Sequence, residues 1–197
     1  RCVVQLRVGP WAAGPGRWVF AWGLCALLAG CDRIGPWSAE RSHTVSAVIE
    51  RAPGPFGQVS WHADYRAEDC PAGAPPGGGE LSVALPVTHQ GGHHYETTVP
   101  GRPAVGTGQD RCRWRLVSTS ARFAATAAEG DEVFEARLTA GQLAREKPVV
   151  LYYWRGTYPR MPGAIITRSR GEPDRQVFRP EFQNQLFTIT LTPRAAR

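Results

Sequence analysis

The chain has 197 residues, 42% of them apolar, with 23 Lys and Arg against 17 Asp and Glu for a net charge of +6. That length suits one domain with its own core. The mild positive balance does not argue for a nucleic-acid binder.

Residues 1–17 carry Arg1, Arg7 and Arg17 and no acid, and residues 18–30 (WVFAWGLCALLAG) are uncharged and mostly apolar. A basic segment before a short apolar core is the order of a secretory signal, so a signal-peptide helix is expected there. The apolar run falls short of the roughly 20 residues that a membrane-spanning helix needs. It closes on Leu27-Leu28-Ala29-Gly30-Cys31. This pentapeptide resembles the lipobox of bacterial lipoproteins. The resemblance implies that residues 1–30 are removed as a signal peptide and that Cys31 carries diacylglycerol, often with a further acyl chain. It places the protein in the bacterial cell envelope, lipid-anchored on the periplasmic side, and Asp32 resembles an inner-membrane retention signal. Two acyl chains hold a protein firmly where one does not. On this reading Cys2 and Cys25 have no mature role, and losing three arginines halves the charge to +3. The chain opens on Arg1 rather than Met, so its first residues are read as a fragment or a misplaced start.

Residues 31–41 are then the lipidated Cys and a short tether, and residues 42–197 a single β-rich domain. Period-two alternation dominates this domain. Val45, Ala47 and Ile49 form one apolar face, Val59, Trp61, Ala63 and Tyr65 a second, and Leu81, Val83, Leu85 and Val87 a third. Cys112, Trp114 and Leu116 alternate with Arg111, Arg113 and Arg115, and Phe134, Ala136 and Leu138 oppose Val133, Glu135 and Arg137. Residues 148–154 (PVVLYYW) show no polar face, which predicts a central strand covered on both sides. Phe187, Ile189 and Leu191 point inward in a last strand. One short helix is predicted over Ala140 to Glu146, with Thr139 as N-cap and Gln142 completing a capping box. Turn-rich pieces separate the strands. The pattern predicts an all-β fold, an antiparallel β-sandwich or open barrel.

With Cys31 acylated, Cys70 and Cys112 are the two cysteines left in an oxidising compartment, and they are expected to pair. Closing a loop of that length contributes about 4 kcal/mol through loop-closure entropy.

Three constellations can carry function. His89, His93 and His94 lie within eight residues of Glu96 and suit a late transition metal; the other reading is a hairpin turn at Gly91-Gly92. Arg111, Arg113 and Arg115 share a strand face and can grip carboxylates or phosphates; the other reading is a solvated face paired with cross-strand acids, Glu132 and Glu135. Tyr158 and Arg160, in the turn from Arg155 to Gly163, are the best candidates for an exposed contact. No nucleophile elbow, phosphate loop, paired-His helix or dinucleotide fingerprint is present, so no catalytic residue is assigned and a non-enzymatic domain is expected. The strand Cys112-Arg-Trp114-Arg-Leu116 resembles one in the short, Arg-rich immunity and accessory lipoproteins encoded beside type VI secretion effectors. That resemblance implies a domain that caps a toxin at the membrane. Together these readings favour a membrane-anchored, protein-binding envelope lipoprotein with no cofactor beyond its lipid and no nucleic-acid partner. The alternative is a metal- or small-ligand-binding lipoprotein using the His loop.

Overall fold

The computed structural model describes residues 41–68, 70, 79–104, 112–160, 163 and 168–196. The lipobox, Cys31, the tether as far as residue 40, and Arg111 lie outside the described residues.

The alternating segments form ten strands: β1 (His43–Glu50), β2 (Gln58–Glu68), β3 (Glu80–Leu85), β4 (Thr88–Gly91), β5 (His94–Val99), β6 (Arg113–Ala124), β7 (Val133–Thr139), β8 (Val149–Trp154), β9 (Arg168–Arg170) and β10 (Leu186–Ala195). They assemble into two five-stranded sheets, ordered β4-β5-β1-β10-β8 and β3-β2-β6-β7-β9. Every pairing is antiparallel except β7 with β9. The fold is a β-sandwich. The apolar faces read from the sequence meet between the sheets: Val45, Ala47 and Ile49 from β1, Trp61, Ala63 and Tyr65 from β2, Phe134, Ala136 and Leu138 from β7, and Phe187, Ile189 and Leu191 from β10 are all buried. Each large apolar side chain so buried contributes about 1.5–3 kcal/mol. The one α-helix among the described residues, α1 (Ala140–Ala144), begins with the expected capping box, in which Thr139 accepts from Gln142 N and Gln142 closes back onto Thr139 N. Cys70 and Cys112 form the expected disulfide, which staples the end of β2 to the start of β6.

Three features depart from the sequence reading. Residues 149–154 form an edge strand, not a central one: β8 pairs only with β10 in its sheet. Its apolar outer face has a different cover. The strand's free edge meets Glu172 through a two-way backbone bridge at Tyr152, and the ring of Trp154 packs on Phe182 with centroids 4.9 Å apart. Val150 is left 38% exposed. Second, β5 completes the first sheet beside β1, with Tyr95, Thr97 and Val99 inward. A threonine in the inner row hides this strand from a hydrophobic pattern, and its hydroxyl is satisfied by the Pro86 carbonyl at 2.7 Å. Third, β3 is the other sheet's edge, so Leu81 and Val83 are only partly covered, and Val87 lies beyond the strand.

A bulge in β6 sets the site described below. Tyr65 pairs with Leu116, yet its neighbour Asp64 pairs with Ser118. Val117 is the extra residue. The insertion reverses the parity of β6, so Arg113 and Arg115 before it point to the same side as Ser118, Ser120 and Arg122 after it.

Candidate functional site

The outer face of the β3-β2-β6-β7-β9 sheet is rich in charge. Arg66 projects from β2, Arg113, Arg115 and Arg122 from β6, Arg137 from β7, and Arg168 and Arg170 from β9. Against these seven arginines the same described face sets four carboxylates, Asp64, Glu68, Glu80 and Glu135. Two of the carboxylates, Glu68 and Glu135, are shared between arginines. Glu68 takes Arg115 Nε at 2.9 Å and Arg113 at 3.9 Å. Glu135 takes Arg122 at 3.3 Å and Arg170 at 3.8 Å. Asp64 takes Arg137 at 3.8 Å and accepts hydrogen bonds from the Ser82 and Ser118 hydroxyls. Glu80 takes Arg66 at 3.0 Å. A guanidinium has five N–H donors, and arginines outnumber carboxylates on the described part of this face. The side chains of Arg113, Arg115 and Arg170 are 62%, 55% and 77% exposed.

The expected arginine stripe is therefore present in Arg113 and Arg115, but its acids are not the expected ones. Glu135 serves Arg122 and Arg170, and Glu132 accepts a hydrogen bond from Ser169. Among the described residues, Glu68 is the acid paired with the stripe, because β2, not β7, flanks the first half of β6. The wider row through Arg66, Arg137 and Arg170 was visible only as polar positions on separate strands; uniting them requires the strand order. The outer face of the other sheet contrasts with this one. Across its centre run Thr44, Ser46, Val48, Val150, Thr188, Thr190 and Thr192, with charge confined to positions such as Glu50, Glu96 and Arg194.

Tyr158 is not the exposed contact expected of it. It is half-buried, its ring meets Phe56 edge-on at 5.6 Å and Phe134 at 6.5 Å, and its hydroxyl donates to the Pro55 carbonyl. Burial pushes its phenol pKa up. Arg160 is solvent-exposed but tied to Asp131 at 3.0 Å, and Glu132 N donates to the Pro159 carbonyl at 2.8 Å. The 155–160 segment is thus a latch that holds loops against the core. The Asp131 carboxyl lies below its usual range because the Thr126 hydroxyl and then Arg160 bond to it, whereas burial raises that of Glu132.

The histidines take the hairpin arrangement. Gly91 and Gly92 hold positive φ, 105° and 57°, values at which glycine meets no Cβ penalty, and β4 and β5 turn through Gly92 and His93. The His89 ring bonds the Gly92 carbonyl at 2.8 Å and stacks on Tyr95. His93 lies edge-on to Phe56, and His94 belongs to β5. No group of three His, Cys, Asp or Glu with metal-ligating geometry occurs among the described residues, and the three imidazoles are not brought to a common point.

No family model, curated protein or solved structure matches this chain.

Proposed function

We propose that this chain is a lipid-anchored envelope protein whose β-sandwich docks the acidic surface of a protein partner and performs no chemistry itself. The observation that carries this reading is the outer face on which, among the described residues, seven arginines stand beside four carboxylates. Exposed ion pairs contribute only about 0–1 kcal/mol each to folding, so apart from the pairs of the buried Glu135 stability gives little reason for so dense a row. Arginine in a fixed row suits bidentate binding of carboxylates, and complementary charge speeds encounter and selects partners. The anchor comes from LLAGC at residues 27–31, and the short tether that follows it keeps the domain near the bilayer. The partner is then a protein that reaches the membrane. The narrower form of the proposal, an immunity or accessory lipoprotein acting beside a type VI effector, rests on the Cys112-Arg-Trp114-Arg-Leu116 strand. Here the arginine face would cover an acidic surface of the toxin.

The test is site-specific photo-crosslinking of the full chain in its native cells. A photoreactive residue replaces Arg115 or Arg137 on one sheet and Thr190 on the other. Discrete protein adducts are expected from the two arginine positions and not from the threonine position. Equal adducts from all three, or none from any, overturn the docking face. Fractionation of Cys31→Ser tests the anchor separately: release from the membrane fraction is expected, and retention there refutes it.

A further inference from the structure

The cross-strand rung of Arg66 and Arg115 pairs two like charges directly, an arrangement that is ordinarily destabilising. The two side chains rim a cavity of about 280 Å³. Its wall runs from this rung past Leu116 and the bulge residue Val117 to Leu143 and Ala144 of α1, and ends at His43. The cavity therefore combines two cationic side chains with apolar lining.

We infer that this cavity is a binding site for a small carboxylate bearing a short apolar group. The carboxylate sits between the guanidiniums of Arg66 and Arg115 and offsets their mutual repulsion. Glu80 and Glu68 each occupy one side of these guanidiniums, at 3.0 and 2.9 Å, and leave other N–H groups for the ligand. The apolar group lies against Val117, Ala140 and Ala144. The volume is just below the usual range of ligand pockets, roughly 300–1,000 Å³, which limits the ligand to the size of an amino-acid residue or a short acyl chain. The chemistry is shared by a free short-chain acid and by the carboxyl end of a peptide with an apolar last residue. The site shares Arg66 and Arg115 with the proposed docking face but does not depend on it, because a small acid can fill the cavity with no protein partner present.

The test is a titration of the isotope-labelled full chain with N-acetyl-leucine, with hexanoate and with the neutral N-acetyl-leucinamide, followed by NMR. Saturable shifts at the Val117 and Leu143 amides and the His43 imidazole are expected with an acid and not with the amide. Binding of hexanoate as tightly as N-acetyl-leucine assigns the site to free short-chain acids, and preference for N-acetyl-leucine assigns it to a peptide end. Arg115→Gln is expected to weaken binding about tenfold or more, the usual effect of losing a charge-assisted hydrogen bond. Ala144→Phe, which fills the cavity without touching a charge, is expected to abolish binding while leaving crosslinks from position 137 intact. Shifts that fail to saturate, that appear equally with the amide, or that survive both variants overturn the site. Loss of the crosslinks with retention of acid binding would reject the docking face and leave the cavity standing.

Discussion

Arg115 Nε lies 2.9 Å from Oε1 of Glu68, across the β2–β6 pair, and the same carboxylate is the partner of Arg113 at 3.9 Å. One acid thus lies beside two exposed guanidiniums. Glu68→Gln should therefore lower stability by less than about 1 kcal/mol in urea unfolding and should strengthen binding of an acidic partner. A larger loss of stability would show that the pair holds the fold rather than tunes the surface.

Phe56 is the centre of the aromatic core although it sits in a loop. Its ring meets those of Phe123 and Phe134 at 5.9 Å, Tyr158 at 5.6 Å and Phe187 at 6.2 Å, so it joins residues of both sheets. Phe56→Ala is expected to destabilise the domain by about 3–5 kcal/mol, the usual loss for a buried aromatic. Denaturant unfolding checks this, and a loss near zero would mean the loop does not seal the core.

Asp131 and Glu132 are adjacent acids whose environments act in opposite directions. Hydrogen bonds from Thr126 and Arg160 hold Asp131 below its usual 3.8. Its ionised form therefore supports the fold above that value, and the support fades as pH falls through the lowered value. Burial holds Glu132 above its usual 4.5, opposed by the Ser169 hydroxyl. Its protonated form supports the fold below 4.5, and this support is lost as pH rises through the raised value. Asp131→Asn should thus destabilise the protein at neutral pH and much less in acid. Glu132→Gln should stabilise it at neutral pH. Urea unfolding at a series of pH values separates the two, and a Glu132→Gln variant that is less stable than the parent at neutral pH would reject the burial argument.

The Cys70–Cys112 disulfide closes a loop with a sequence separation of 42. Replacing both cysteines by serine should lower stability by about 4 kcal/mol, from the entropy returned to the unfolded chain. Thermal unfolding of the double variant with and without reductant checks this. Equal stability before and after reduction of the parent would contradict it.

Most of the sandwich could be read from alternation, because β1, β2, β7 and β10 each bury one face and expose the other. Where alternation breaks down, local pattern is silent for physical reasons. β8 is apolar on both faces, which reads as a central strand; its free edge is bridged to Glu172 and Trp154 on its outer face packs on Phe182, and no period in residues 149–154 announces a loop that folds back from later in the chain. β5 places Thr97 in its inner row. Phe56 lies between Pro55 and Gly57, in a stretch that reads only as a turn. The arginine site was half legible. Arg113 and Arg115 were evident as a stripe, but strict alternation would put Arg122 on the opposite face. The bulge at Val117 restores it to the same face, and a bulge leaves no mark in composition. The acids that pair with the stripe depend on which strand flanks β6, a relationship between residues about fifty positions apart.

The direct measurement is affinity for the partner captured at positions 115 and 137, titrated against the parent chain and against Arg113→Ala/Arg115→Ala/Arg137→Ala at rising salt. Expected is binding to the parent that weakens steadily as salt screens the face, with the triple variant bound far more weakly at every salt concentration while unfolding at nearly the parental urea midpoint. Affinity that is indifferent to salt and unchanged in the triple variant would contradict an arginine docking face.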